Sequence, residues 1–410
     1  MGENLKKYDV IIVGGGPVGL TMAASLAKFG PDMKIALLDR KPFVVPLDSR
    51  SSALAAGVTQ IFEVLNIWEK MLPNSNPIEI MKITDSGGGD ISRPLFLSFE
   101  GDVAPNRPYA HMVPNTTSIG VLLDAVKGKV DLIAPVEIKS LQAEANITSL
   151  VLADGVVLQA PLIIGADGAR SNMRDMAGIG VVGHDYGQSG VVTTISHEKN
   201  HENTAYEHFR PNGPFASLPL PNNRSSLVWS EGTKQAEVLR DMEHGKLEQK
   251  IEEVMGHCLG KVKIEEKVQA FPLKLQVAKK LIAPRFALIG DAAHFMHPIT
   301  GQGMNLGLKD VAVLAEVIIE AMRLGQDFGA INILEEYQQK RRPDVAMMAV
   351  ATEGLNRLFS NDIAPIRALR DVGLGVVDKM PIVKNTLIRH AAGVSLGGEN
   401  IPRLMRGLAI

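Results

Sequence analysis

The segment His297-Pro298-Ile299-Thr300-Gly301-Gln302-Gly303-Met304-Asn305 combines residue types suited to bringing backbone against a flat ligand. Proline stiffens the turn and the glycines remove side chains from the surface. The stretch running on to Asp310 reads as a helix, whose first turn would aim unpaired N–H groups and a positive dipole end at that ligand. An electron-accepting ring that becomes anionic would be stabilised there. Upstream lie Gly290-Asp291-Ala292-Ala293-His294 and, before them, the apolar run Phe286-Ala287-Leu288-Ile289. The expected order is therefore a buried strand, an acidic turn, a proline-glycine loop and a long helix.

Two further glycine clusters share that logic. Gly14, Gly16 and Gly19 fit the G-x-G-x-x-G spacing, with Pro17 between the second and third glycines. The first glycine permits a tight strand-to-helix turn, the second admits a pyrophosphate to the backbone, and the third lets helix pack on strand. Asp39 follows Gly19 by 20 residues (39 − 19), where a carboxylate accepts a ribose hydroxyl, and Arg40 is a candidate partner for a 2′-phosphate. This cluster indicates a dinucleotide without separating NAD from FAD. The second acidic turn, Asp167-Gly168, closes the apolar run Leu162-Ile163-Ile164 and precedes Arg170 and Arg174.

These motifs need elements to hold them. Residues 8–13 and 34–39 read as buried parallel strands around a helix at 19–29, a βαβ unit. A helix is expected over 51–72, with Leu54, Val58, Ile61, Phe62 and Leu65 on one face, and another over 116–127. Short strands are expected through 130–164, a strand- and turn-rich region over 181–275, and helices after 289. The 410 residues, 45% apolar, suffice for two or three domains. A net charge of −2 gives no electrostatic case for nucleic acid. One cysteine, Cys258, excludes an internal disulfide and reads as a structural thiol. His294 and His297 lack further ligands for a metal. No run reaches the roughly 20 apolar residues of a membrane span.

Taken together, the three motifs resemble those of flavoprotein aromatic hydroxylases of the para-hydroxybenzoate hydroxylase fold, over nearly the whole chain. The segment from His297 to Asp310 resembles the signature of the ubiquinone-biosynthesis branch, although Thr300 stands where that branch usually has alanine or glycine. Supporting segments are Arg50 in Asp48–Leu54, Phe209–Leu220 and Phe271-Pro272-Leu273. Val113-Pro114-Asn115 departs from relatives that carry an acidic residue before the asparagine.

The resemblance implies an α/β fold: a Rossmann-like FAD-binding domain (1–77, 113–180, 276–345), an inserted β-sheet substrate domain (78–112, 181–275) and a helical C-terminus (346–410). It implies FAD held by Gly14, Gly16, Pro17, Gly19, Asp39, Arg40, Arg50, Asp167, Gly168, Gly290 and Asp291. Pro298, Gly301, Gln302, Gly303, Met304 and Asn305 would form the flavin-ring loop. His294 is a candidate catalytic group, and Tyr206, Phe215 and Pro219 are candidates for the substrate pocket. The implied chemistry is reduction of FAD by NAD(P)H or another donor, reaction with O₂ to a C4a-hydroperoxide, and oxygen transfer to a polyprenyl phenol. A hydroxylase of a small soluble phenol and a non-catalytic FAD-binding subunit are the alternatives.

A lipophilic substrate implies a cytoplasmic enzyme that works at the inner membrane face or within a quinone-biosynthesis complex. Residues 379–410 carry Lys379, Lys384, Arg389, Arg403 and Arg406 against Glu399, interspersed with Ile382, Leu387, Leu404, Met405, Leu408 and Ile410. Such a segment either lies on anionic lipid or packs on the flavin domain.

Overall fold

The computed structural model describes residues 5–48, 50–85, 95–298, 301–359, 392–393 and 401–410. At its centre is a six-stranded sheet in the order Ile282–Ala283, Phe286–Leu288, Leu162–Gly165, Val10–Val13, Ile35–Leu38 and Asp131–Ile133. The four strands from Phe286–Leu288 to Ile35–Leu38 are buried along their whole length. They read as continuous apolar runs because both faces of a parallel sheet are covered. The helices Pro17–Phe29 and Gly303–Arg323 supply part of that cover, burying Leu20, Met22 and Leu26 from one and Leu308, Leu314 and Ile318 from the other.

Register decides where the motifs go. Gly165 pairs in parallel with Val13 on one side and Leu288 on the other. The three strands thus end at one level, and the turns after them leave from the same edge, where open parallel sheets bind their ligands.

A nine-stranded sheet forms the second layer, built on the 17-residue strand Val181–His197. That strand pairs with Arg224–Gly232 and Gln269–Ala278, and the sheet continues through Phe215–Leu220, Thr204–Phe209, Ile80–Asp85 and Leu95–Glu100. His294–Phe295 pairs with Gln276 and Val277, tying the acidic turn of the first sheet to the edge of the second.

The region 181–275 also contains two helices that the strand-and-turn pattern did not suggest, Thr233–Arg240 and His244–Val254. Both are short and highly charged, and each buries a narrow apolar stripe, Ala236 and Leu239 or Leu247 and Ile251, on one face of the sheet. A second difference concerns 51–72. Ser51–Ala55 is a strand paired with Ala110–Pro114, and the helices are confined to Ala56–Val64 and Trp68–Met71. Leu54, placed by period on the helix face, belongs to the strand; the pairing with residues 110–114 is invisible to a local pattern.

Thr300 and residues 379–391 and 394–400 lie outside the described residues. The last ten residues are described, and there Leu404, Met405 and Ile410 are buried, with Arg403 N donating to Glu316 Oε2 at 2.9 Å. Residues 401–410 thus pack on the main core through Leu404, Met405 and Ile410, while Arg403, Arg406 and Leu408 are exposed. Among the described residues no helix is long and apolar enough to cross a membrane.

Candidate functional site

The three turns meet at the shared strand edge. Gly14, at φ +119°, has no room for a side chain: a Cβ there would lie 2.2 Å from the Ala166 carbonyl oxygen. Gly19 is equally constrained, since its Cβ would fall 1.9 Å from Gly14 O, which lets the first helix start hard against the turn. Gly16 meets nothing within 4 Å, and neither do Gly168, Gly301 and Gly303, so these four backbone positions face open space. Asp39 Oδ2 accepts from Gly15 N at 2.6 Å and its Oδ1 from Lys41 N at 2.8 Å, which clamps the glycine turn. Arg40 is exposed beside it.

Asp167 is oriented by its own helix. Its Oδ2 accepts from Met173 N at 3.1 Å and its Oδ1 from the Ser171 hydroxyl, so the carboxylate sits at the N-terminus of Asn172–Met176. Arg174 is buried and donates through Nη1 to the Ala292 carbonyl at 3.0 Å, joining the second turn to the third.

Asp291 differs from the other two acids: no protein group hydrogen-bonds its carboxylate among the described residues. One side of it is open, yet the surrounding protein is dense enough that burial raises its pKa, while His294 and Arg50 pull the other way. That combination places it on the wall of a cleft. Gly290, at φ +63°, makes the turn, and Gly307 brings the long helix so close that a Cβ there would meet Gly290 Cα at 3.0 Å.

The turn is held from behind by a buried ion cluster. Asp310 Oδ2 accepts from Gly290 N at 2.9 Å and from His294 Nε2 at 2.6 Å, and Oδ1 accepts from Arg341 Nε at 2.7 Å. Burial acts to raise the Asp310 pKa, but His294 and Arg341 outweigh it and hold the carboxyl below its ordinary range. His294 is therefore engaged in positioning, with its ring buried against Asp310, and its assignment as a catalytic group is corrected on that ground. His297 is also buried, with its ring edge-on to Tyr186 at 5.1 Å; burial lowers its pKa to about 4, so it is neutral at pH 7.

The loop itself is braced by side chains. Pro298 O accepts from Gly301 N at 2.8 Å, closing the turn. Asn305 spends its amide on backbone: Nδ2 donates to Ala53 O at 2.8 Å and Oδ1 accepts from Ala55 N at 2.9 Å. This fixes the first turn of the long helix to the strand Ser51–Ala55. Gln302 hydrogen-bonds the Tyr109 side chain, and Met304 packs against the main core. Arg50 lies in the same cleft, forked to Asp48 at 2.8–3.2 Å and stacked 5.1 Å over the Phe271 ring of the large sheet. Its charge also reaches Asp291.

The pocket candidates need correcting. Phe215 is fully buried against Trp229 in the cluster under the two charged helices, and Tyr206 packs against the same cluster. Pro219 alternates onto that face with Phe215 and Ser217. All three point away from the flavin-side face, because the face a strand residue occupies depends on register, and an aromatic residue fits either face.

Asp310, Arg341 and Tyr109 carry the site's positioning and were given no role from sequence. A signal existed for two of them. Asp310 falls on the apolar stripe of Leu306, Val313 and Leu314, and Arg341 on that of Leu334, Tyr337 and Val345. Charges on two buried helix faces generally mark each other.

The fold and the cleft define an FAD-binding protein, and comparison agrees: the family described as FAD binding domain matches residues 7–352. The chain is 40% identical to the ubiquinone hydroxylase UbiL of Rhodospirillum rubrum, covering 99% of this chain and 94% of that one. It is 31% identical to the 3-demethoxyubiquinol 3-hydroxylase of Escherichia coli, over 94% and 98% of the two chains. The fold is shared with p-nitrophenol 4-monooxygenase PnpA from Pseudomonas putida DLL-E4 (TM-score 0.79, 17% identity, 96% of this chain and 100% of that one). The chain belongs to the ubiquinone hydroxylase family of FAD-dependent aromatic-ring monooxygenases.

The residues present fit FAD. Open glycines at 16, 168, 301 and 303 leave a cradle that side chains would fill, and Asp291 has a carboxylate with no hydrogen-bond partner among the described residues. Gly301 gives a direct check. It sits at φ +60° with open space before it, so Gly301→Ala costs about 1–2 kcal/mol of local strain and puts a methyl on the cradle surface. The variant is expected to fold, and to hydroxylate at about a tenth of the wild-type rate or less. Unchanged turnover at saturating FAD would remove this loop from the site.

Proposed function

We propose that this chain hydroxylates the aromatic ring of a polyprenyl phenol on the way to ubiquinone, with NAD(P)H as reductant and O₂ as co-substrate. The observation that carries it is the convergence at one sheet edge of Gly14–Gly19, Asp167, Asp291 and the 301–305 loop, opposite a largely apolar sheet face. Kinship with hydroxylases of ubiquinone and of 3-demethoxyubiquinol supports the substrate class.

Bound FAD supplies the redox and oxygen-activating chemistry. The protein's part is binding, orientation and exclusion of water. The first helix, starting at Pro17, presents its N-terminus to the pyrophosphate, and Asp39 holds both the glycine turn and a ribose hydroxyl. Asp291 would hold the ribityl hydroxyls. With the Gly301 N–H used to close the turn on Pro298 O, the N–H groups from Gln302 to Met304 at the start of the long helix would be the donors offered to the flavin ring, where charge develops on reduction. Arg50, fixed by Asp48 and Phe271, adds positive charge beside it. Asn305 and the Asp310 cluster keep these donors in place without touching the ring. Delivery of a lipophilic substrate involves peripheral membrane contact or a quinone-biosynthesis complex, through surfaces other than the buried Leu404, Met405 and Ile410.

The deciding experiment deletes the gene and profiles quinone intermediates by mass spectrometry. The expected result is accumulation of a prenylated ring one hydroxylation short, restored by the wild-type gene. A normal quinone profile, with no such intermediate, would refute the assignment.

A further inference from the structure

The face of the large sheet opposite the two charged helices holds an acid, Glu207, among apolar neighbours. Glu207 lies in the strand Thr204–Phe209 and pairs with Ala216, which pairs with Val228, which pairs with Val192, which pairs with Gln269. Residues directly opposite share a face, so these form one row across the sheet.

The neighbouring rows locate it. On one side, Gly190 pairs with Phe271, the ring that carries Arg50. On the other side, Ala205 and Leu218 pack with Ala53, Met112 and Tyr109, and Tyr109 is bonded to Gln302 of the ring-binding loop. The row containing Glu207 thus runs between those two rows, with Glu207 itself at the Tyr109 end of the sheet and Phe271 four strands away. Along its own strand, Ala205 is roofed by the Tyr109 cluster, and Phe209 by Leu355 of the helix Ile331–Phe359. Glu207 stands in the gap between these roofs, only partly buried, with no hydrogen-bond or ion-pair partner among the described residues.

An acid so placed is costly unless something satisfies it. Dense surrounding protein raises its pKa to about 8, so at pH 7 the carboxyl is mostly neutral and has one O–H to donate and an oxygen to accept. A phenol hydroxyl, one donor and one acceptor on a flat apolar ring, matches that pair of functions on an apolar floor.

We propose that Glu207 is a substrate-binding residue that hydrogen-bonds the ring hydroxyl of the phenol and so sets which ring carbon faces the flavin. This rests on the phenolic-substrate reading above. The carboxyl grips the oxygen substituent, Ala216 and Val228 lie under the ring, and the side of the gap lined by Leu218 and Tyr109 leads toward Gln302.

The test uses the FAD-loaded enzyme and two probes, 2-prenylphenol and prenylbenzene, which differ only in the hydroxyl. Binding is read from the perturbation of the oxidised flavin spectrum. Wild type is expected to bind the phenol about tenfold more tightly at pH 7, an amount typical of one buried hydrogen bond. Glu207→Leu should bind both probes alike, with prenylbenzene bound at least as well as by wild type. Glu207→Gln, which keeps a donor and an acceptor without ionising, should retain most of the preference. Wild-type phenol affinity should change as pH rises through about 8, and the glutamine variant should stay flat across that range. A leucine variant that keeps the full preference overturns the assignment, as does a wild type that binds both probes equally, and neither result touches quinone-ring hydroxylation. A wild type that binds neither probe overturns the prenyl-phenol reading, and this assignment with it.

Discussion

Asp291→Ala is expected to yield folded protein that has lost its flavin. Among the described residues the carboxylate accepts no hydrogen bond, so the substitution orphans no donor and forfeits only the attraction of His294 and Arg50. It also relieves repulsion from Asp310, which helps to raise the Asp291 pKa. The apoprotein should therefore unfold within about 0.5 kcal/mol of wild type. What disappears is a charged acceptor on a cleft wall. Hydrogen bonds to a charged group contribute about 1.5–3 kcal/mol each, so FAD affinity should fall roughly 10- to 150-fold. The measurement is the flavin-to-protein absorbance ratio after gel filtration at low micromolar concentration, with circular dichroism as the fold control. Full flavin retention would show that Asp291 does not bind the cofactor.

Asp310→Leu should damage the protein itself. Asp310 is completely buried and accepts from Gly290 N, His294 Nε2 and Arg341 Nε. Removing it leaves the buried Arg341, among the described residues, with only the half-exposed Asp344 as a charged partner, and the Gly290 N–H without its acceptor. Breaking a buried pair by removing one member costs about 3–5 kcal/mol. Urea unfolding measures this, and a loss below about 1 kcal/mol would mean that the cluster is not what holds the turn. Replacing Arg341 by Met in the same protein should recover part of the loss, because it removes the stranded charge.

The sign of the pH dependence follows from the lowered Asp310 pKa. Stabilisation by the ionised carboxylate is complete above the ordinary carboxylate pKa of about 4, and is lost as pH falls through the depressed folded value. Wild type should show this acid-side loss and the leucine variant should not.

The two acids respond oppositely although both follow the same strand. Asp291 points into the cleft and serves a ligand. Asp310, 19 residues later (310 − 291), points back into the core and serves the backbone of that turn. Their roles were not equally legible. The Gly-Asp turn after an apolar strand announces Asp291, whereas Asp310 was only the far end of a motif until its partner Arg341 was seen across the helix pair.

Local chemistry is what the amino-acid sequence determined by itself. Glycine spacing, continuous apolar runs and acidic turns encode strand-turn-helix units within about 30 residues, and each unit carries its backbone requirement with it. Gly14 and Gly19 illustrate this, since no other residue fits where they stand. Those units, taken with the family resemblance, were enough for the fold class, the cofactor and the kind of reaction.

Tertiary structure decided which face each residue of the large sheet presents. A strand alternates its side chains, and its register against neighbours, set by pairings between residues far apart in sequence, chooses the face that meets the flavin. Tyr206, Phe215 and Pro219 had the chemistry of a pocket wall but alternate onto the far face, beneath two charged helices. Ala205, Glu207 and Phe209 take the near one.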